Sequence, residues 1–330
     1  KDWPNWEKTM QVSSADLESA ESERKPLVTR PRPGHADLAG TIKFDRTDIR
    51  DVLERASARE TATRVAAGAI ARQLLELFNI EIVSHVTAIA GVEISSSIVP
   101  FKTVREIPDD AILRCVEHDA EAAMIVAIDA AREAGDTVGG TFEVILHGLP
   151  LGLGSYVQWD RKLDGRLAQA VMSIPAIKAV GIGLGPGVSA LPGSQVHDEI
   201  VLPDNHAESD GSAVGVVRPT NNAGGLEGGV TNGEDLRVSG YMKPISTLMK
   251  PLRSVDLSTM TEAPATVERS DVCAVPAAAV VAEAMISLVV ADAFLEKFGG
   301  DSINEITHHL AASTTLSQSR FNKPSGNPTG

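Results

Sequence analysis

The chain has little cysteine, no excess of positive charge and no unbroken apolar run, and each shortage removes a class of function. Cys115 and Cys273 are the only two cysteines in 330 residues. They make no CxxC and no metal-ligand spacing, which excludes a disulfide-stapled scaffold and predicts free, buried thiols in a reducing compartment. The formal net charge is -14, which argues against a broad nucleic-acid surface. The longest apolar stretch, residues 274–290, is interrupted by Glu283, so no membrane span is expected. No charged-then-apolar leader opens the chain. It begins KDWPNWEKTM, without an initiator methionine, and reads as if entered partway through a domain.

What is present is the composition of a globular protein, with 43% hydrophobic and 22% charged residues, in a length that holds one sizeable core or two halves. An acidic chain that gathers arginine in one place points to a pocket for a small anion. The gathering lies at residues 29–61, TRPRPGHADLAGTIKFDRTDIRDVLERASARET. Pro31 and Pro33 fix their own φ and push their neighbours towards extended backbone, so the segment cannot lie mid-helix. It then sets His35 beside Asp37 and runs into Arg50, Glu54, Arg55, Ser57, Arg59 and Glu60. Arginine recognises phosphate and carboxylate through paired planar hydrogen bonds. Any one of these groups alone reads as a solvated side chain; the cluster favours the anion pocket.

The periodicity predicts one long amphipathic helix over residues 48–78, capped by Asp48, and a β-branched strand over 80–89 in which His85 is a core or sheet-face histidine. Residues 94–118 read as irregular. A second helix spans 119–134 and ends at Gly135, a strand covers 141–147, and a third helix covers 163–177. The run AVGIGLGPG invites a nicotinamide-dependent dehydrogenase reading. Its glycines at 181, 183, 185 and 187 miss the G-x-G-x-x-G spacing, and no strand-then-helix context is expected there, so the reading is rejected. His197, Asp198 and Glu199 suggest a metal at first sight, but nothing fixes a third ligand and a hydrated loop is the better reading. The glycine-dense residues 221–247 bring backbone N–H groups close to a ligand, with Lys243 as a point charge, although Asn232 and Gly233 also signal a hairpin turn. A strand at 265–268 and a long apolar helix at 277–298, closed by Gly299 and Gly300, complete the chain before a Ser/Thr-rich tail that reads as disordered after residue 311.

Together, RPGHADLAG, LERASARET, NNAGGLEGGVTNGE, KPISTL and ERSDVCAVPAA closely resemble the motifs of the chorismate synthase family, in order over about residues 1–306. The resemblance implies an α+β fold, a β-α-β sandwich with a helical layer between antiparallel sheets, as a single domain over 1–311 followed by a disordered tail at 312–330. It implies loss of phosphate and a ring proton from 5-enolpyruvylshikimate 3-phosphate to give chorismate, the last common step of the shikimate route. Reduced FMN would be the cofactor, with NADPH as its reductant in some members. A homotetramer in the cytoplasm (or a plastid), without nucleic acid or membrane, is implied as well. In the family, reduced flavin is held to lend an electron as phosphate departs and to recover it as the proton leaves. The protein then supplies position, charge neutralisation and proton control.

Carried over by motif, His35 is the catalytic residue against the flavin ring, suited to proton control by its ordinary pKa of about 6.5. Asp271 is the second catalytic residue, near the other flavin edge, taking up the substrate proton. Arg55, Ala56, Ser57, Pro175, Ala176, Gly228, Lys243, Pro244, Ile245, Ser246, Thr247 and Arg269 match flavin-binding positions. Arg59 matches a contact to the anionic groups of the substrate, and Asn222 and Gly225 would shape the pocket walls. The family's opening GESHG segment and its GYGRG stretch are not in this sequence. The expectation is therefore a chain holding part of the pocket and inactive without that segment, with a flavin-binding or assembly subunit as the alternative.

Overall fold

The computed structural model describes residues 27–56, 59–108, 110–202 and 215–321. In chain order the helices are α1 (Asp37–Phe44), α2 (Ile49–Arg55), α3 (Arg59–Glu76), α4 (Phe101–Arg105), α5 (His118–Glu133), α6 (Leu163–Met172), α7 (Gly193–Val196), α8 (Val275–Phe298) and α9 (Ile303–Phe321). The strands are β1 (Glu81–Ile89), β2 (Val92–Glu93), β3 (Gly140–His147), β4 (Ile177–Ile182), β5 (Leu226–Glu227), β6 (Val230–Thr231), β7 (Leu236–Met242), β8 (Arg253–Asp256) and β9 (Thr261–Pro264). The described residues fall into two compact units, those within 1–56 and 251–266, and those within 57–250 and 267–330.

In the first unit the proline-broken segment is tied to the β8–β9 hairpin through its carbonyls. Leu257 N–H donates to Thr29 O at 3.0 Å, Thr266 Oγ1 to Arg30 O at 2.8 Å and Ser254 Oγ to Pro31 O at 2.5 Å. Pro31 and Pro33 have no N–H to donate, so the carbonyls of the segment carry its bonds to the hairpin. Asp48 caps α2 as expected, its Oδ1 accepting from Arg50 N at 2.9 Å and from Val28 N at 3.1 Å. The single helix expected over 48–78 is two helices, α2 and α3. The apolar stripe is continuous in sequence but changes cores: Ile49 and Val52 are buried with α1, whose Gly40 lies against Val52, whereas Ala71 and Leu75 join the core of the second unit.

The second unit is built on a five-stranded antiparallel sheet, order β2-β1-β3-β7-β4. Period-2 alternation turns Ile82, Val86, Phe142, Val144, Leu146, Leu236 and Val238 towards helices α3, α6 and α8. Val83 and Ile145 point the other way, under Phe101 and Val104 of α4, a short helix within residues expected to be irregular. The α+β class stands; among the described residues the other two sheets are two-stranded hairpins, β5–β6 and β8–β9.

Helix α8 is long and apolar enough to cross a membrane, contrary to the reading of Glu283 as an interruption, yet it is mostly buried within this unit. Its buried Glu283 accepts from Ser84 Oγ at 2.5 Å and pairs with Arg72 at 2.9 Å and Arg114 at 3.3 Å. At Gly68 of α3 an added Cβ would lie 2.4 Å from the Ala284 methyl and 2.6 Å from its backbone oxygen, so the helices touch almost backbone to backbone.

Three expectations need correction. The helix expected over 163–177 stops at Met172, because Pro175 favours extended backbone before it, and residues 177–182 form strand β4 instead. A strand therefore does precede the GIGLGPG glycines, but it is an edge strand antiparallel to β7, unlike a dinucleotide-binding unit. The strand placed at 265–268 lies slightly earlier, as β9, after a β8 that was missed. Finally, the tail from 312 continues as helix α9 to Phe321; residues 322–330 lie outside the described residues. A capping box starts α9, with Ser302 N–H donating to Glu305 Oε2 at 3.0 Å and Glu305 N–H to Ser302 Oγ at 3.2 Å. The hydroxyls of Thr307, Thr314, Thr315 and Ser317 are absorbed by carbonyls four residues back, as Thr314 on Leu310 O at 3.0 Å.

Candidate active site

His35 sits at the end of a tight turn. Pro33 and Gly34 are its central residues, Gly34 has φ +79°, and His35 N–H donates to Arg32 O at 3.3 Å. Proline followed by a glycine at positive φ is the pattern of a type II turn. The turn folds the ring back onto Arg32 and onto Asp37, the first residue of α1. Asp37 is almost fully buried, and Arg32 Nε donates to its Oδ2 at 2.8 Å while Nη2 donates to Oδ1 at 3.1 Å. Arg32 N–H adds a third bond to Oδ2 at 3.0 Å. His35 Nδ1 lies 2.5 Å from Asp37 Oδ1. Burial by itself would raise the Asp37 carboxyl, but the hydrogen bonds from His35 and Arg32 outweigh it and hold the group well below the ordinary carboxylate range. In the same unit Arg55 is exposed at the last turn of α2 and Ala56 closes it, its N–H on Val52 O at 2.9 Å. Ser57 lies outside the described residues; Arg59 opens α3, and its side chain also lies outside them.

In the second unit one end of the large sheet gathers most of the remaining positions. Strand β3 begins there, β7 ends there and β4 begins there, by register. Lys243 N–H donates to Ala176 O at 3.0 Å, joining Pro175 and Ala176 to residues 243–247. Ala176 has φ +68°, an uncommon backbone for a residue with a Cβ. Thr137 Oγ1 donates to Ile245 O at 2.6 Å, and Val138 N–H to Val272 O at 2.9 Å. The short strip before β3 therefore fixes residues 243–247 on one side and the residue after Asp271 on the other. Arg269 and Asp271 are exposed here, and Thr247 is buried. No sequence signal singles out Thr137 and Val138, because their work is done by one hydroxyl and one amide.

Gly228 is not brought to this end. It lies between β5 and β6, where Leu163 N–H donates to Gly229 O at 2.9 Å and Asn232 N–H to Gly225 O at 3.0 Å, beside the opposite ends of β7 and β4. The seven residues of β7 separate those ends by about 20 Å. Asp198, read as part of a hydrated loop, is instead a fastener for the glycine-rich loop. Its carboxylate accepts from Thr220 Oγ1 at 2.6 Å, Asn222 N at 2.8 Å and Ala223 N at 2.9 Å. Burial pushes this carboxyl up, but those three donors together bring it below its ordinary value. Among the described residues no cluster of His, Cys, Asp and Glu could hold a metal ion. His85 is fully buried on the sheet face, as expected, with Nε2 3.1 Å from Glu143, which also pairs with Arg237 at 2.8 Å. Both cysteines are free, and burial raises both thiols.

Residues 1–295 match the family model described as chorismate synthase. The chain belongs to the chorismate synthase family. Chorismate synthase of Geobacter sulfurreducens is 54% identical over 306 residues, which is 93% of this chain and 76% of that relative. Chorismate synthase of Moorella thermoacetica is 52% identical over 312 residues, 94% of this chain and 77% of the relative. A crystal structure of chorismate synthase superposes with a TM-score of 0.72 at 40% identity, covering 86% of this chain and 77% of that one. The α+β fold and carbon–oxygen lyase chemistry come with the family.

Proposed function

We propose that the chain eliminates phosphate and a ring proton from 5-enolpyruvylshikimate 3-phosphate to give chorismate, with reduced FMN as the cofactor. The observation that carries the reading is the convergence, at one end of the five-stranded sheet, of residues 175–176, residues 243–247 and Asp271. The residues present suit a flavin mononucleotide. Lys243 and Arg269 provide cations and Ser246 and Thr247 hydroxyls for its phosphate, and Ala176, held at positive φ, presents backbone to a flat ring. By resemblance Arg55, Ala56 and Ser57 are proposed cofactor positions as well, and within the second unit so are Pro244, Ile245 and Gly228, although the sheet topology sets Gly228 apart from residues 243–247. When bound, reduced flavin supplies the transient electron that a stepwise elimination needs.

The chain's own residues do the rest. Asp271, exposed beside the Val272 anchor, is the proposed acceptor of the ring proton. His35, its ring braced by Asp37, holds or moves a proton through Nε2. Arg59 is the proposed contact for the substrate's anionic groups and should govern KM. A homotetramer, a cytoplasmic setting and NADPH as the reductant are further parts of the proposal, drawn from the family resemblance.

The test is anaerobic: the protein is given reduced FMN and 5-enolpyruvylshikimate 3-phosphate, and chorismate is followed by absorbance. Formation that requires both additions supports the reading. Bound flavin with no chorismate overturns it.

A further inference from the structure

His35 Nδ1 faces two groups at once, Asp37 Oδ1 at 2.5 Å and Arg32 Nη2 at 3.1 Å, and it cannot hydrogen-bond to both. A ring nitrogen carries either a proton or a lone pair. A guanidinium only donates, so a bond to Arg32 would need the lone pair; an ionised carboxylate only accepts, so a bond to Asp37 needs the proton. At 2.5 Å a lone pair facing a carboxylate oxygen would be repulsive, and a proton must lie between them. The guanidinium is satisfied elsewhere, since its Nε and Nη2 already form a fork on the two oxygens of Asp37. That fork and the Arg32 amide keep a nearly fully buried carboxyl ionised, so Asp37 does not take the proton for itself.

We infer that Arg32 and Asp37 are positioning residues that fix His35 with its proton on Nδ1, leaving Nε2 as the one ring atom open to proton transfer. The inference rests on the proposed catalytic role of His35 and adds which nitrogen acts and what selects it. The three groups occupy six consecutive residues closed by the Pro33–Gly34 turn, so their geometry is set locally. Asp37 is locked to Arg32 from two directions, and a flip of the His35 ring would put Cδ2 in place of Nδ1 and lose the bond to the carboxylate.

Nitrogen NMR of the intact protein, labelled at histidine and assigned with His35→Gln, reads the tautomer directly. With the ring neutral, His35 is expected to show a protonated Nδ1 and a bare Nε2. Asp37→Asn, which offers an amide N–H in place of a carboxylate oxygen, should mix or invert the two forms. It should also lower kcat on the order of 100-fold, a share of what a positioned acid–base group supplies, with KM little changed. Arg32→Lys keeps the charge but not the fork, and should keep the tautomer with a smaller loss of kcat. A bare Nδ1 in the unaltered protein overturns the inference without any reference to catalysis. A protonated Nδ1 together with full kcat in His35→Gln would instead overturn the catalytic reading of His35, and the positioning role with it.

Discussion

Ser84 of strand β1 donates its hydroxyl to the Glu283 carboxylate of helix α8 at 2.5 Å, so the most apolar helix of the chain is fastened to the sheet by its one buried acid. Arg72 reaches the other carboxylate oxygen at 2.9 Å and also donates to Ile82 O at 2.9 Å, carrying the fastening on to α3. Removing one partner of a buried ion pair costs about 3–5 kcal/mol because the other charge is left without compensation. Arg72 retains 40% exposure, so water recovers part of that. Glu283→Leu is expected to lower unfolding free energy by roughly 2–3 kcal/mol, read by urea denaturation. A loss below about 0.5 kcal/mol would place this cluster among the neutral surface pairs.

Gly68 sets propensity against packing. Alanine is favoured over glycine inside a helix by about 1 kcal/mol. Its methyl, however, would lie 2.4–2.6 Å from Ala284, including backbone atoms that cannot turn aside. Overpacking of that kind costs about 1–3 kcal/mol, so Gly68→Ala should be destabilising, by about 1 kcal/mol or more. A rise in the thermal midpoint would mean that α3 and α8 can part without cost.

These two contacts also mark where the sequence ceased to be legible. Apolar spacing and composition located α3, α5, α8, β1 and β3; α8, buried nearly all round, shows in the sequence as an apolar run closed by two glycines rather than as a stripe. It could not show that the stripe from Ile49 to Leu75 serves two cores, since a helix break with both halves apolar leaves the pattern unchanged. Strand β4 was hidden inside an apolar run short enough for either element, although Pro175 was a usable stop signal. The Ser/Thr composition of α9 concealed Ser302 and Glu305, which read as a capping box once the spacing is noticed. Motifs named the candidate catalytic residues, but the groups that fix His35 and the neighbouring loops (Arg32, Thr137, Val138 and Asp198) act through a few specific hydrogen bonds that composition does not reveal.

The pH dependence of stability should carry the signature of Asp37. Its folded carboxyl is depressed below the unfolded value of about 3.9. The unfolded state therefore takes up the proton first as pH falls. The stability Asp37 contributes is complete above pH ~4 and is lost progressively below it, as pH moves towards the folded value. Asp37→Asn is expected to be less stable at neutral pH and to lose less on acidification. Parallel curves of unfolding free energy between neutral pH and about 3 would mean that Asp37 is not held ionised by Arg32 and His35.

Asp198 gives a prediction local enough to be read residue by residue. Its carboxylate holds the amides of Asn222 and Ala223 and the hydroxyl of Thr220, and the loop beyond them leads to Gly228. Alanine at 198 would leave both N–H groups without their acceptor, while the backbone bonds from Gly224 to Asn221 O and from Leu184 to Asn222 O remain. The loop should stay in place but open more often. Hydrogen exchange at Asn222 and Ala223 is expected to quicken by roughly ten-fold, the value of a charge-assisted bond of about 1.5 kcal/mol. Amides of β3 and β7, buried in the sheet and bonded to each other, should keep their protection. If flavin affinity falls in step with the faster exchange, Gly228 and its loop belong to the cofactor site despite standing at the far end of the sheet. Unchanged affinity with faster exchange would remove Gly228 from that set.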